Sequence, residues 1–94
     1  MKHVVMFKLK GTEEERRRLA EQFSDALLEL PAIIPELQSM ETGLNVNPKE
    51  SWDVVLIAEG ASLEDIAAYG AHPAHQAAVD IIRPFIEARA CVDF

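Results

Sequence analysis

Two short segments of this chain are apolar on both of their alternating faces, and no other feature restricts its fold as much. In residues 2 to 10, His3, Val5, Phe7 and Leu9 alternate with Val4, Met6 and Lys8. In residues 52 to 58, Trp52, Val54, Leu56 and Ala58 alternate with Asp53, Val55 and Ile57. Both read as interior strands, because a strand greasy on two sides has to be covered on two sides. Residues 37 to 46 differ: Met40, Thr42, Leu44 and Val46 oppose Ser39, Glu41, Gly43 and Asn45, the pattern of an edge strand. A closing strand sets Ala88, Ala90, Val92 and Phe94 against Arg89, Cys91 and Asp93.

Helical signals fill the gaps. Gly11 breaks the first strand, and Thr12 with Glu15 forms a capping box that opens a helix over about Glu13 to Leu30. Leu19, Phe23, Leu27 and Leu30 make its apolar stripe, while Glu13 with Arg17 and Glu14 with Arg18 form i,i+4 pairs on a solvated face. Pro31 and Pro35 end this helix and structure the connection that follows. Ser62 with Asp65 repeats the capping signature and starts a second helical region, which pauses at Gly70 to Pro73 and resumes through Val79, Ile82 and Phe85 or Ile86. The element order is βαββαβ, expected to build an α+β, ferredoxin-like antiparallel sheet with the first and third strands inside.

Composition limits the rest. The 94 residues carry 9 Lys+Arg against 16 Asp+Glu, a net charge of −7, and 49% of positions are hydrophobic, which suits a single acidic domain over residues 1–94. The acidic balance excludes electrostatically driven nucleic-acid or anionic-membrane binding, and no apolar run approaches the roughly 20 residues of a membrane-spanning helix. The amino-terminal stretch shows no secretory pattern and Cys91 has no intrachain partner, so a cytoplasmic protein is expected. A chain of this size buries only about 60–65% of its unfolded surface, and two helices cover just one face of a four-stranded sheet. The other face is expected to meet a second copy, closing a barrel-like homodimer that encloses room for a small apolar ligand.

The residues also carry a resemblance. Lys2-His3-Val4-Val5-Met6-Phe7-Lys8, Ile34-Pro35, Gly43-Leu44-Asn45, Asp53-Val54-Val55-Leu56, Tyr69-Gly70-Ala71-His72-Pro73-Ala74-His75 and Val92-Asp93-Phe94 together resemble the stress-responsive dimeric α/β-barrel (Dabb) family over nearly the whole chain. Glu36 departs from the pattern, where many relatives have Gly after the proline. The resemblance implies a ferredoxin-like protomer and a homodimeric barrel. The Tyr-x-x-His-Pro-Ala-His run is most similar to that of the plant olivetolic acid (polyketide) cyclases of the family, which implies intramolecular aldol chemistry without a cofactor. Carried over, Tyr69 would bind the developing oxyanion, His75 would take the proton, and His3 would position substrate or water.

Residue chemistry is compatible with that carry-over and with a plainer reading. Pro73 suits the first position of a helix, so His72 falls at the N-cap and His75 in the first turn, where the positive dipole end disfavours imidazolium. A neutral His75 is a competent base, and a Tyr69 hydroxyl could stabilise an enolate. His72, His3 and Phe7 are expected to line the ligand space. The plainer reading makes the protein a binder of a small apolar, aromatic or polyketide-like molecule, with His72 only capping a helix, His75 bonded to a carbonyl and Tyr69 a core aromatic. A dimeric-barrel monooxygenase is a third reading. A three-imidazole metal site of His3, His72 and His75 is disfavoured, since a residue before proline avoids the helical region. No metal is expected to be required; the resemblance implies room for a structural hard cation at the carbonyls of Pro31, Ile34 and Leu37, which the negative dipole end of the first helix suits. Cys91, whose sole basic neighbour along the strand is Arg89, reads as an inert thiol.

Overall fold

The computed structural model describes all of residues 1–94. Its elements are β1 (Lys2–Leu9), α1 (Glu13–Leu28), β2 (Ser39–Leu44), β3 (Val54–Glu59), α2 (Leu63–Ala71), α3 (Pro73–Asp80) and β4 (Ile86–Asp93), with 3₁₀ turns at Leu30–Ala32 and Arg83–Phe85. The fold is the expected ferredoxin-like βαββαβ, with its second helical region split in two. All neighbours in the four-stranded sheet are antiparallel and its order is β2-β3-β1-β4, so β1 and β3 are interior and β2 lies at an edge.

The alternation in β1 and β3 divides the sheet into two unlike faces. Val5, Phe7, Leu9, Val54, Leu56 and Ala58 are buried against the helices. Phe23, Leu27, Leu30, Ile34 and Ile82 complete that core, and Phe7 meets Phe23 edge-on with ring centroids 5.6 Å apart. The opposite residues Val4, Met6, Val55 and Ile57 stay half-buried, and on the same side of β4 Val92 is 63% and Phe94 67% exposed. That side carries no helix, and burying its apolar surface is worth roughly 25 cal/mol per Å².

Three expectations are corrected. The first helix stops at Leu28 rather than Leu30, because Pro31 supplies no N–H to the helical ladder and the chain tightens into a 3₁₀ turn. Ile86 belongs to β4, where a register shift between Lys8 and Leu9 pairs Leu9 with Ile86 and leaves Glu87 as the extra residue of a bulge. The arginine run is not one solvated face. Glu13 and Glu14 form no ion pairs with Arg17 and Arg18; Arg17 pairs with Glu21 at 3.3 Å instead.

Arg16 turns inward. Its Nε donates to Asp53 Oδ1 at 3.1 Å and its Nη1 to the Gly11 carbonyl at 2.7 Å. Gly11 is the single residue with positive φ, 118°, a conformation that side-chain-bearing residues avoid. Asp53 Oδ2 also accepts from the Leu9 backbone N–H at 2.7 Å, so one carboxylate ties the end of β1 to the start of α1 and the approach to β3. Thr12 and Ser62 cap α1 and α2 as their sequence pattern requires, each accepting at 3.1 Å from the backbone N–H three residues on.

Asp53→Ala is therefore expected to lower folding stability by about 1–3 kcal/mol, since it orphans a backbone donor and an arginine together. Arg17→Ala, whose ion pair is exposed, should change it by no more than about 0.5 kcal/mol. Urea unfolding midpoints of the two variants measure the contrast.

Candidate functional site

The site is built by a proline. Pro73 forces His72 out of the helical region, to φ −65° and ψ 136°, so α2 ends at Ala71 and α3 begins at Pro73. Tyr69 lies in the last turns of α2 and His75 in the first turn of α3. The bend between them brings their rings to 4.4 Å between centroids. His3, at the start of β1, stands edge-on to Tyr69 with centroids 6.3 Å apart. The rings of Tyr69, His75 and His3 thus lie near one another.

Hydrogen bonds decide what His75 can do. Its Nδ1 lies 2.9 Å from the Gly70 carbonyl oxygen, which can only accept, so Nδ1 carries the proton and Nε2 keeps its lone pair. Gln76 donates to the same carbonyl at 2.7 Å, and Arg83 Nη2 donates to Gln76 Oε1 at 2.9 Å. These bonds orient the imidazole. Burial pushes the His75 pKa below the ordinary histidine value; the Gly70 hydrogen bond opposes this, and electrostatic interaction with His3, Arg83 and Arg89 adds to it. Neutrality was the expectation, but desolvation rather than the helix dipole leads the causes.

Tyr69 is only 1% exposed and its hydroxyl is the one buried side-chain polar atom without a hydrogen-bond partner. An unsatisfied buried hydroxyl typically costs about 1–3 kcal/mol. Burial also holds the phenol well above its ordinary pKa range, so it is a neutral donor.

The other expected residues are placed as follows. His72 is the N-cap of α3: its Nδ1 accepts from the Ala74 N–H at 3.0 Å. Phe7 is 5% exposed and packed into the core against Phe23. The Ile34 carbonyl accepts from the Leu37 N–H at 3.1 Å within the turn after α1. The three-imidazole cluster does not form, because His72 is committed to its cap. Instead His3 joins two residues of β4. Its Nδ1 lies 2.5 Å from Asp93 Oδ1 and 3.5 Å from Cys91 Sγ, so Cys91 has a basic neighbour that sequence spacing along β4 did not reveal. Antiparallel pairing is the reason: His3 is in register with Asp93 and Val5 with Cys91. Two surface concavities lie away from Tyr69. One, of about 670 Å³, runs between Lys10, Arg16, Asn45 and Asp53; the other, of about 360 Å³, lies beside Met6, Trp52 and Val55.

The family model described as the stress responsive A/B barrel domain (Dabb) matches residues 1–94. The chain belongs to the stress responsive A/B barrel family. It is similar to a dimeric protein of unknown function and ferredoxin-like fold from Bacteroides fragilis NCTC 9343, at 41% identity and TM-score 0.95, covering 99% of this chain and 92% of that one. A dimeric ferredoxin-like protein from Thermobifida fusca YX is 31% identical with TM-score 0.80, covering 99% and 87%. The hydroxynitrile lyase of Passiflora edulis shares the fold, at 15% identity and TM-score 0.77 with coverage of 99% and 89%. Among curated proteins none matches. No helix of this Dabb protein is long and apolar enough to cross a membrane.

The depressed His75 pKa carries a sign. Below the unfolded-state histidine pKa of about 6.5 the unfolded chain binds a proton that the folded His75 resists, so stability present above that pH falls as pH drops through the folded value. The His75 ring resonances should titrate below those of an exposed histidine, and His75→Gln should flatten the loss of thermal stability between about pH 7 and pH 5. A His75 titration at or above the ordinary value contradicts this.

Proposed function

We propose that this Dabb protein is a homodimer whose protomers each bind a small apolar or aromatic, polyketide-like molecule through a carbonyl or hydroxyl oxygen. The observation that carries the reading is the buried Tyr69 hydroxyl, which has no partner in the protein and belongs to a ring packed against the His75 imidazole. A ligand oxygen at Tyr69 removes the penalty of the orphaned donor, which supplies affinity and orientation together. Dimerisation is supported by the bare sheet face and by the dimeric state of the relatives from Bacteroides fragilis and Thermobifida fusca.

A second reading, catalysis, is favoured by one further observation: His75 carries its proton on Nδ1, which leaves a lone pair on Nε2 of a ring that packs against the Tyr69 ring. With a β-dicarbonyl ligand, Nε2 would take a proton from the carbon beside a carbonyl. Tyr69 would donate a hydrogen bond to the enolate oxygen as its charge develops. The enolate carbon would then attack a second carbonyl of the same molecule, forming a carbon–carbon bond, and the resulting alkoxide would take up a proton. His3 would position the substrate, and no cofactor is needed. The monooxygenase reading has no comparable observation in its favour.

Thermal unfolding with small aromatic ketones and linear polyketide mimics tests both readings. A ligand at a hundredfold excess over its Kd should stabilise the fold by about 2.7 kcal/mol, and Tyr69→Phe should remove most of that shift. Stabilisation equal in wild type and Tyr69→Phe contradicts the binding reading. If product forms, His75→Ala and Tyr69→Phe should each slow it by about 10²-fold or more, and unchanged turnover contradicts the catalytic roles.

A further inference from the structure

The structure holds a second chemically distinct cluster, at the open end of the β1–β4 pair. His3 Nδ1, Cys91 Sγ and Asp93 Oδ1 lie within 4.8 Å of one another. We propose that these three side chains form a binding site for a divalent transition-metal ion of the zinc class. The backbone places them: Cys91 and Asp93 alternate onto the same face of β4, and His3 is the cross-strand partner of Asp93.

The donor set selects the ion. A thiolate and an imidazole are soft or borderline ligands, which favour zinc, cobalt or nickel over magnesium or calcium. Distances support a shared ion. In a tetrahedral zinc site, with Zn–S about 2.3 Å and Zn–N and Zn–O about 2.0–2.1 Å, sulfur lies ~3.6 Å from its N and O neighbours. Here Sγ is 3.5 Å from His3 Nδ1 and 3.8 Å from Asp93 Oδ1. The remaining edge, Nδ1 to Oδ1, is 2.5 Å because the imidazole and carboxylate hydrogen-bond to each other, and it would open by about 0.8 Å to reach the ~3.3 Å of a coordinated pair. Asp93 can make that move, since its side chain is 34% exposed near the end of an edge strand. Three protein ligands leave a fourth position for water, the arrangement of zinc sites that are open to chemistry rather than closed for structure.

Binding has a defined proton balance. The Cys91 thiol loses its proton to solvent as the metal–sulfur bond forms, and the imidazole proton moves from Nδ1, which becomes a ligand, to Nε2. One proton is released per ion, so affinity falls with falling pH. His3 is also the residue that stands edge-on to Tyr69, so an ion there would sit beside the Tyr69–His75 pair.

Titration of the full-length protein with Co²⁺ tests the site. The expected result is one ion per chain with a thiolate-to-cobalt charge-transfer band, which Zn²⁺ abolishes by displacement and a thousandfold excess of Mg²⁺ leaves in place. Cys91→Ser, at an exposed position, should remove the band, and Asp93→Asn and His3→Gln should each weaken binding at least tenfold, whereas His72→Gln should leave it unchanged. A band that persists in Cys91→Ser, binding indifferent to Asp93→Asn and His3→Gln, displacement by Mg²⁺, or no cobalt binding at all would overturn the proposal.

Discussion

The structure depends on a sheet whose interior strands are apolar on two sides while helices cover one. Val5, Phe7, Leu9, Val54, Leu56 and Ala58 face the helices and are buried, and this half of the alternation builds the core. Val4, Met6, Val55 and Ile57 are the unavoidable other half, because in a strand every second side chain points the opposite way. The buried core and the bare face that we propose a second copy covers thus follow from one periodicity, and the strand order follows with it. A two-faced apolar strand at a sheet edge would leave greasy surface and unpaired backbone exposed together, which the order β2-β3-β1-β4 avoids for β1 and β3.

The site depends on a local interruption. Without Pro73, α2 would run on and Tyr69 and His75 would lie six positions apart on one helix, too far around and along it to meet closely. The break at His72 lets the rings approach to 4.4 Å and frees the Gly70 carbonyl to accept from both His75 and Gln76. The same residues that end one helix and start the next thereby set the tautomer of the candidate base. The imidazole of His72, central to the motif, is spent on capping α3.

How much of this was legible in the chain can be judged residue by residue. Strand faces, both capping residues, the order of elements and the interruption near Pro73 were readable, because each rests on short-range periodicity or on a motif with a local mechanism; Tyr69, His75 and His3 were grouped only through the family resemblance, and the approach of His3 to Tyr69 is a long-range contact. What was missed is long-range. Arg16 looked like one of three solvated arginines, yet its partner Asp53 lies 37 positions away and is brought near only by the β1–β3 pairing. Cys91 looked inert because its histidine neighbour is 88 positions distant along the chain. That contact had a signal: antiparallel first and last strands bring the two chain ends together, and Asp93 and Cys91 share the alternating face of β4 that meets His3. The bulge at Glu87 had none, since it shifts the register of β4 without a glycine or proline to mark it.

The account rests on the claim that the bare face of the sheet is covered by a second copy. Sedimentation equilibrium at micromolar concentration measures it directly. The account predicts a species of twice the chain mass, and a single-chain species for Val55→Lys, which sets a charge in the middle of the apolar face. A wild-type protein that sediments as one folded chain, with thermal stability independent of its concentration, would contradict it.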